Sequence, residues 1–219
     1  MGLQTIIDKT SFITIDKRKG AGFTVSRSGH IKTSVQQGSL YRFTVGAPEG
    51  LKYSENRGLL ETLDSLDITE ESNVDIGDTN TNLSYITEVK GTIDSPDTGA
   101  GLVMVGHSGS DLYINFSGAT GSGTILKKGD FIQPKGNTST YRYPYQITSD
   151  ISATTNANVT VSVHRPVLEQ DGVALTSGGV RLGQDCRFHL ICANMPTYSV
   201  VPHDLIEFTK DFELIERLT

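Results

Sequence analysis

The feature that most constrains the fold of this chain is the alternation of apolar and polar residues in short runs. In "SLYRFTV", Tyr41, Phe43 and Val45 fall on one side of an extended strand, and the residues between them fall on the other. Clusters of Gly, Ser and Asn separate such runs, and the 219 residues include 23 glycines and no tryptophan. Short runs punctuated by turn residues are typical of β-sandwiches and β-barrels. The sequence therefore predicts a mainly all-β protein.

One segment, "SENRGLLETLDSL" at 54–66, has the periodicity of a short α-helix. Ser54 is the predicted N-cap, because its hydroxyl can accept a hydrogen bond from the first turn. Four leucines fall on one face at helical spacing, and that face is expected to pack on a core: Leu59, Leu60, Leu63 and Leu66.

The order of the predicted elements indicates two domains. Residues 93–180 hold a run of short strands that is expected to form a small barrel. The flanking blocks, 1–92 and 181–219, then pair across it as one discontinuous domain. Polar, glycine-rich stretches at 91–101 and 172–183 are the predicted crossings, since domain boundaries fall in such segments.

The charge of the chain limits its partners. A net charge of −6 and a pI of about 5.3 argue against binding of nucleic acid through phosphates, which needs a basic face. The acidity is uneven: eight Asp and Glu residues and no Lys or Arg lie in 58–88. Such a run is typical of a solvated face. The sharper hypothesis is a surface that repels DNA or docks on a basic partner.

The two cysteines predict reduced, buried thiols. Cys186 and Cys192 lie in "CRFHLICA", where a strand puts them on one face with Phe188 and Leu190. They are then roughly 20 Å apart at ~3.3 Å per residue, too far for a disulfide bond. The N-terminal segment lacks the pattern of a signal peptide, and no apolar stretch approaches the length of a membrane span. These features fit a chain made in the cytoplasm.

Motifs of catalysis or cofactor binding are weak in this sequence. "GATGSGT", Gly118 to Thr124, resembles a phosphate-binding loop, but Thr124 stands where the lysine is required and no helix is predicted after it. Five histidines are scattered singly, which does not favour a metal site. No nucleophile elbow occurs. We therefore expect neither an enzyme nor a resident cofactor or metal.

The stretch "KKGDFIQ" predicts a turn that enters a strand. Gly129 is expected to supply the turn, and Asp130 to bond nearby backbone groups. Phe131 or Ile132 is then expected to point into a core.

The following "YRYPYQI" places Tyr141, Tyr143 and Tyr145 on one face of a strand and Arg142 with Pro144 on the other. Because proline removes a ladder donor, this strand is expected at an edge or a bulge. The tyrosine face is interpreted as core or interface. Alternatively it binds a sugar, or stacks on single-stranded nucleic acid, which the acidic charge disfavours. We interpret the whole stretch as scaffold.

Several segments together resemble one protein family. They are "VSRSGHIKTSVQQGSLYRFTV", "APEGLKYSENRGLLETLDSLD", "KKGDFIQ", "YRYPYQIT", "VTVSVHRPVL" and the final "DFELIERL". In this order they are similar to distal tail proteins of long-tailed bacteriophages, in the version that carries a small OB-like barrel. The acidic segment 67–82 is longer than the resemblance implies.

The resemblance implies a fold and a role. The terminal segments would form a sandwich-like domain with one helix, and the OB-like barrel would be inserted and face outward. Six copies would form a ring in the virion, joining the tail tube to the hub and receptor-binding parts. The family's motifs carry no catalytic residues, and the role requires no membrane insertion.

Two other interpretations stay open. One is a carbohydrate-binding β module that uses Tyr141, Tyr143 and Tyr145. The other is a phage decorating or head-to-tail joining protein of the same β build. Within the tail-ring interpretation, part of the acidic run is expected to face the DNA channel or a basic neighbour: Glu70, Glu71, Asp75 and Asp78.

Overall fold

A computed structural model describes most of the chain. The described residues are 2–17, 21–25, 31–35, 40–66, 72–77, 83–93, 102–116, 123–134, 143–152, 157–168 and 178–218.

The described residues form two α-helices, two 3₁₀ turns and seventeen short strands. The helices are α1 (Gly2–Lys9) and α2 (Tyr53–Asp64), and the 3₁₀ turns lie at Ser84–Ile86 and Gly183–Asp185. The strands are β1 (Ile13–Asp16), β2 (Ala21–Val25), β3 (Ile31–Val35), β4 (Arg42–Val45), β5 (Ser72–Asp75), β6 (Val103–Ser108), β7 (Asp111–Asn115), β8 (Thr124–Leu126), β9 (Phe131–Pro134), β10 (Tyr145–Gln146), β11 (Ile151–Ser152), β12 (Asn158–Ser162), β13 (Gly178–Leu182), β14 (Arg187–Asn194), β15 (Tyr198–Val201), β16 (Leu205–Phe208) and β17 (Phe212–Glu216). The predicted all-β class is confirmed.

The expectation of a single helix is wrong, because α1 is a second one. Its sequence, "GLQTIIDK", opens with glycine and contains three β-branched residues, so its intrinsic helix propensity is low. Leu3, Ile6 and Ile7 are each 1% exposed. Burial of this one face stabilises a helix that local preference does not predict.

The predicted apolar face of α2 is confirmed. Leu60 and Leu63 are buried, and Leu59 and Leu66 are half-buried against the same side of the molecule.

The N-cap prediction is wrong, because the helix begins one residue earlier and a distant residue caps it. The Asp204 carbonyl accepts a hydrogen bond from the Tyr53 N–H at 2.8 Å. Its carboxylate accepts from the Ser54 N–H at 3.1 Å and from the Ser54 hydroxyl.

A five-stranded antiparallel sheet is built from both ends of the chain. Its strand order is β1-β4-β17-β14-β5, so β17 lies in the middle. The buried residues packed on it form a cluster that we call the terminal core. They lie between Leu3 and Ile76 and between Cys186 and Leu214, with Phe131 added.

The central part of the chain forms a six-stranded sheet of order β10-β9-β13-β6-β7-β12, beside a small sheet of β8 and β11. A bridge between Ile147 and Val163 joins the ends of its two outer strands, so the sheet curls toward closure. The buried residues inside it, which we call the central core, all lie between Ile93 and Leu182. The OB-like topology of this unit stays a prediction.

The two cores are nearly separate in sequence. Among the described residues that are buried between Ile93 and Leu182, only Phe131 belongs to the terminal core. Leu182, just past the predicted boundary at 180, packs in the central core. The division into 93–180 and its flanks stays a prediction about independent folding.

Both cysteines are buried and free, as predicted. Cys186 precedes β14 and Cys192 lies within it, and both belong to the terminal core with Phe188 and Leu190. Burial raises the pKa of Cys186 well above its usual range and that of Cys192 to about 11. Neither thiol is therefore a reactive thiolate near neutral pH.

Candidate functional site

The two cores meet at a buried ion pair between Arg165 and Glu216. Arg165 follows β12 in the central part, and Glu216 ends β17 in the terminal part. The guanidinium is bidentate, with Nη1 donating to Oε2 at 2.5 Å and Nη2 donating to Oε1 at 2.7 Å. The two side chains are 1% and 0% exposed. We call this contact and the residues around it the junction.

Three tyrosine rings surround the Arg165 guanidinium. Its Cζ lies 5.4 Å from the ring centroid of Tyr41, 5.8 Å from that of Tyr143 and 5.2 Å from that of Tyr145. Its Nη2 also donates to the Pro144 carbonyl at 3.2 Å. Cation–π contacts strengthen where water is excluded, so the rings help to offset the desolvation of the guanidinium.

The predicted tyrosine face is therefore an interior surface at two of its three positions. Tyr143 and Tyr145 are 1% and 0% exposed, so neither ring can stack on a sugar or on a base. Tyr141 lies outside the described residues. Tyr145 lies in β10, at one end of the six-stranded sheet as predicted, whereas Tyr143 precedes that strand.

Glu216 also connects the junction to the backbone of the terminal part. Its Oε2 accepts a hydrogen bond from the Tyr41 N–H at 3.2 Å, and its own N–H donates to the Tyr41 carbonyl at 2.9 Å. On the other side, the Tyr145 hydroxyl accepts from the Leu168 N–H at 2.8 Å. The Glu216 carboxylate is thus held by the backbone of the terminal part, and Tyr145, whose ring contacts Arg165, is held by the backbone of the central part.

The electrostatics follow from burial. Burial alone lowers the pKa of Arg165, but the hydrogen bonds and charge of Glu216 outweigh it and raise the pKa. Burial raises the pKa of Tyr145 to about 12 and that of Tyr41 still further. The junction therefore holds one compensated ion pair and neutral phenols, and it is arranged to bind two parts of the protein together.

The "GDFIQ" segment forms a second part of the junction, and its predicted local roles are confirmed. Gly129 has a φ of 103°, which glycine adopts without steric cost. The Asp130 carboxylate accepts from the N–H groups of Lys127 at 2.8 Å and of Lys90 at 2.9 Å. Phe131 and Ile132 both point inward, Phe131 into the terminal core and Ile132 into the central core.

Gln133 adds a pair of hydrogen bonds across the same boundary. Its side-chain amide donates to the Arg187 carbonyl at 2.7 Å and accepts from the Arg187 N–H at 2.9 Å. Gln133 is 0% exposed. The Gln133 amide thus bonds the backbone of β14 at Arg187 as a neighbouring strand would. Its oxygen and its nitrogen both have hydrogen-bond partners despite their burial.

Sequence reasoning did not identify Arg165, Glu216 or Gln133 as important. A signal for Glu216 existed: Phe212, Leu214 and Glu216 occupy alternate positions of β17, so the strand pattern places a carboxylate on the inward side. An inward carboxylate requires a cation, but the sequence does not show which one.

The predicted acidic surface is described at one of its four positions. Asp75 is half-buried, and its Oδ2 lies 3.6 Å from Nη2 of Arg187 in the same chain. Its backbone pairs with the Gln4 side chain through two hydrogen bonds of 3.0 and 3.1 Å. Asp75 thus has contacts within its own chain, and the role of the acidic run toward a channel or a basic neighbour stays a prediction. Glu70, Glu71 and Asp78 lie outside the described residues.

The described residues show neither of two other kinds of site. Across these ranges, no group of three or more His, Cys, Asp or Glu side chains is placed to hold a metal ion. Neither described helix has the length and apolar character needed to cross a membrane. Most of "GATGSGT" lies outside the described residues.

In comparison with known proteins, no family model matches the chain, and no curated protein matches it significantly.

Proposed function

We propose that this chain is a structural virion protein of a phage tail tip or baseplate. Six copies form a ring that joins the tail tube to the hub and the receptor-binding parts. The terminal sheet with its helices builds the ring, and the central unit is an inserted OB-like barrel carried on its outside. The protein acts by assembly, without catalysis.

The observation that carries this proposal is the junction. The sequence segments that resemble distal tail proteins supply it: "GDFIQ" gives Gln133, "YRYPYQ" gives Tyr145, "VHRPVL" gives Arg165 and "FELIE" gives Glu216. A joining protein must hold its binding parts in a fixed relative orientation under load. A buried bidentate pair is favourable only when its two partners meet in one geometry, so the pair favours one relative orientation of the two units.

The terminal sheet also offers edges for assembly. Among the described strands, β1 and β5 are the outer members of the five-stranded sheet and each pairs on one side there. Unpaired N–H and C=O groups at a sheet edge are a ready template for contact with another chain. Ring closure requires contacts of this kind between different surfaces of successive copies.

The purified chain tests the proposal. Mass photometry and negative-stain microscopy are expected to show a ring with the mass of six 23.7 kDa chains. A phage whose copy of this gene is disrupted is expected to lose tails of normal length with a complete tip, and expression of the intact chain is expected to restore them. A monomer at every concentration, together with normal virions from the disrupted phage, would overturn the proposal.

A further inference from the structure

Strand β15 has one edge that no other described strand covers. It pairs with β16 in a two-stranded sheet of their own. The far side of β16 is covered, because the Ile206 N–H donates to the Leu51 carbonyl at 2.9 Å and Leu205 forms a bridge with Lys52. The far side of β15 has no such neighbour among the described residues. An open strand edge is a template for pairing with another extended chain.

The register of the two strands shows which backbone groups are open. The Thr209 N–H donates to the Thr197 carbonyl at 2.9 Å, so the hydrogen-bonded pairs fall on every second residue from Thr197. Tyr198 and Val200 therefore direct their backbone N–H and C=O groups away from β16. Val200 is 53% exposed, so water reaches this edge. Two donors and two acceptors along one line can bond an added strand.

A groove of about 370 Å³ lies where β15 begins, between the approach to that strand and the end of α2. Its lining residues are Leu63, Asp64, Leu66, Met195, Pro196, Thr197 and Tyr198. The Tyr198 hydroxyl donates to Oδ2 of Asp64 at 3.0 Å, which fixes the strand against the helix. Four of the lining side chains are apolar, so a strand added to β15 has a place for an apolar side chain beside the edge.

The electrostatics of this groove favour a cation. Asp64 is the one charged residue among those that line it, and the exposed Glu61 lies one turn earlier on α2. The C-terminal end of a helix carries a partial negative charge, and the last turn of α2 contains no basic residue to offset it. A Lys or Arg that enters the groove is therefore attracted by both the carboxylate and the helix end.

We propose that an extended segment of another protein adds to β15 as a further strand. Its backbone bonds Tyr198 and Val200, an apolar side chain enters the groove, and a neighbouring Lys or Arg lies beside Asp64. A second copy that paired through its own β15 would bring no cation, because Tyr198–Val201 contains none. The inference goes beyond the proposed ring, since one copy of the chain carries the whole site.

Labelled peptides of about eight residues test this site on the full-length chain by fluorescence polarisation. They alternate Thr with Val, Ile, Leu or Phe, and they end in Lys or, in the control set, in Glu. At least one basic peptide is expected to bind with a Kd below about 1 mM, and its acidic counterpart more weakly. N-methylation of alternate peptide nitrogens removes the donors that face β15, so it is expected to weaken binding by about tenfold or more.

Variants of the chain locate the site. Val200→Pro removes one outward donor and is expected to weaken binding by about tenfold, whereas Val200→Thr keeps that donor and should bind normally. Asp64→Asn can still accept from Tyr198 but loses the charge, so it should bind the basic peptide a few-fold more weakly. The matched control is Glu213→Gln, at an exposed carboxylate of β17, which should have no effect. Circular dichroism and the urea midpoint establish that each variant is folded.

Three results would overturn the proposal. The first is that no basic peptide binds below about 1 mM. The second is that binding survives both N-methylation and Val200→Pro in a folded protein. The third is that the chain alone dimerises and Val200→Pro returns it to a monomer, which would make the occupant a second copy. A monomer that binds the basic peptides at β15 would support this site and would count only against the ring.

Discussion

Two places in this protein join distant parts of the chain through a carboxylate, and they differ in their exposure to water. At the junction, Glu216 holds Arg165 with both side chains at most 1% exposed. At the start of α2, Asp204 holds Ser54 across 150 positions at the surface. Beside it, Lys52 and Glu55 form an ion pair of 3.1 Å with side chains 57% and 65% exposed.

Similar hydrogen bonds at these two places contribute different amounts to the free energy of unfolding. When a surface carboxylate is removed, water replaces it and little is lost. When a buried carboxylate is removed, its cation stays behind without solvation. The junction is therefore expected to decide whether the two units hold together, and the surface contacts only to adjust the end of a helix.

The largest expected effect is that of Glu216→Gln. This change keeps the shape of the side chain and removes the charge that compensates Arg165. We expect the free energy of unfolding to fall by about 3–5 kcal/mol, measured by urea denaturation. The matched control is Glu213→Gln on the exposed side of the same strand, which should change stability by less than about 0.5 kcal/mol.

A double variant sharpens this result. Arg165→Met with Glu216→Leu removes both charges and fills the space with apolar atoms, so it should be more stable than Glu216→Gln alone. Equal stability of Glu216→Gln and Glu213→Gln would contradict the difference between buried and exposed carboxylates.

A second, somewhat smaller effect concerns alkaline pH. Burial raises the pKa of Tyr145 to about 12 from a usual value of 10.0. The stability linked to this group is fully present below pH 10, where the phenol is neutral in both states. It is lost as the pH rises to about 12, because only the unfolded chain ionises there. The loss is about 3 kcal/mol, and Tyr41 adds to it in the same direction.

Tyrosinate absorbance and circular dichroism recorded across this pH range measure that loss. Tyr145→Phe should reduce the steepness of alkaline unfolding, whereas Tyr85→Phe, at a residue 61% exposed, should not. Ionisation of all tyrosines near pH 10 without unfolding would show that the junction admits water.

At the surface, Asp204→Ala should lower stability by about 1 kcal/mol, the usual value of a lost N-cap. Asp204 has a φ of 64°, which disfavours alanine as well. Asp204→Asn is the control, since asparagine caps helices and tolerates this backbone conformation. Thermal unfolding of the three proteins measures the difference. A loss as large as that of Glu216→Gln would show that exposure does not separate the two sites.

The smallest expected effect is that of Glu55→Ala. Its partner Lys52 is exposed and remains solvated, so the change should be between 0 and about 1 kcal/mol. Urea denaturation in low and high salt measures it, and salt should reduce the difference further. A change above about 2 kcal/mol would mean that this pair has a role the structure does not explain.

Much of the fold was predictable because local patterns and burial agree. The alternation in "SLYRFTV" places Tyr41, Phe43 and Val45 inside, and all three are buried. The leucine face of α2 and the buried thiols follow from the same kind of pattern. In each case the residue types on one face decide which side is buried, so no knowledge of distant contacts is needed.

The remaining features depend on contacts between residues far apart in sequence. Arg165 and Glu216 are 51 positions apart, and Asp204 caps a helix that begins 151 positions earlier. A strand pattern can mark Glu216 as inward, but it cannot select Arg165 from the other cations. For the same reason the pattern predicts Tyr145 on a strand, while the packing of its ring on the Arg165 guanidinium was not foreseen.

The position of β17 in the middle of the five-stranded sheet has a consequence for folding order. Its neighbour β4 is made roughly 170 residues earlier, whereas the central sheet uses only strands between Val103 and Leu182. Contacts between distant segments form more slowly, because the intervening chain must first be ordered. During synthesis the central sheet is therefore expected to form first, while β1 and β4 wait for their partner. A chain cut short before Phe212 would keep the central sheet. It would lack β17, the middle strand of the five-stranded sheet, and the Glu216 carboxylate that compensates Arg165. Incomplete chains would therefore be excluded from any assembly that needs the terminal surfaces.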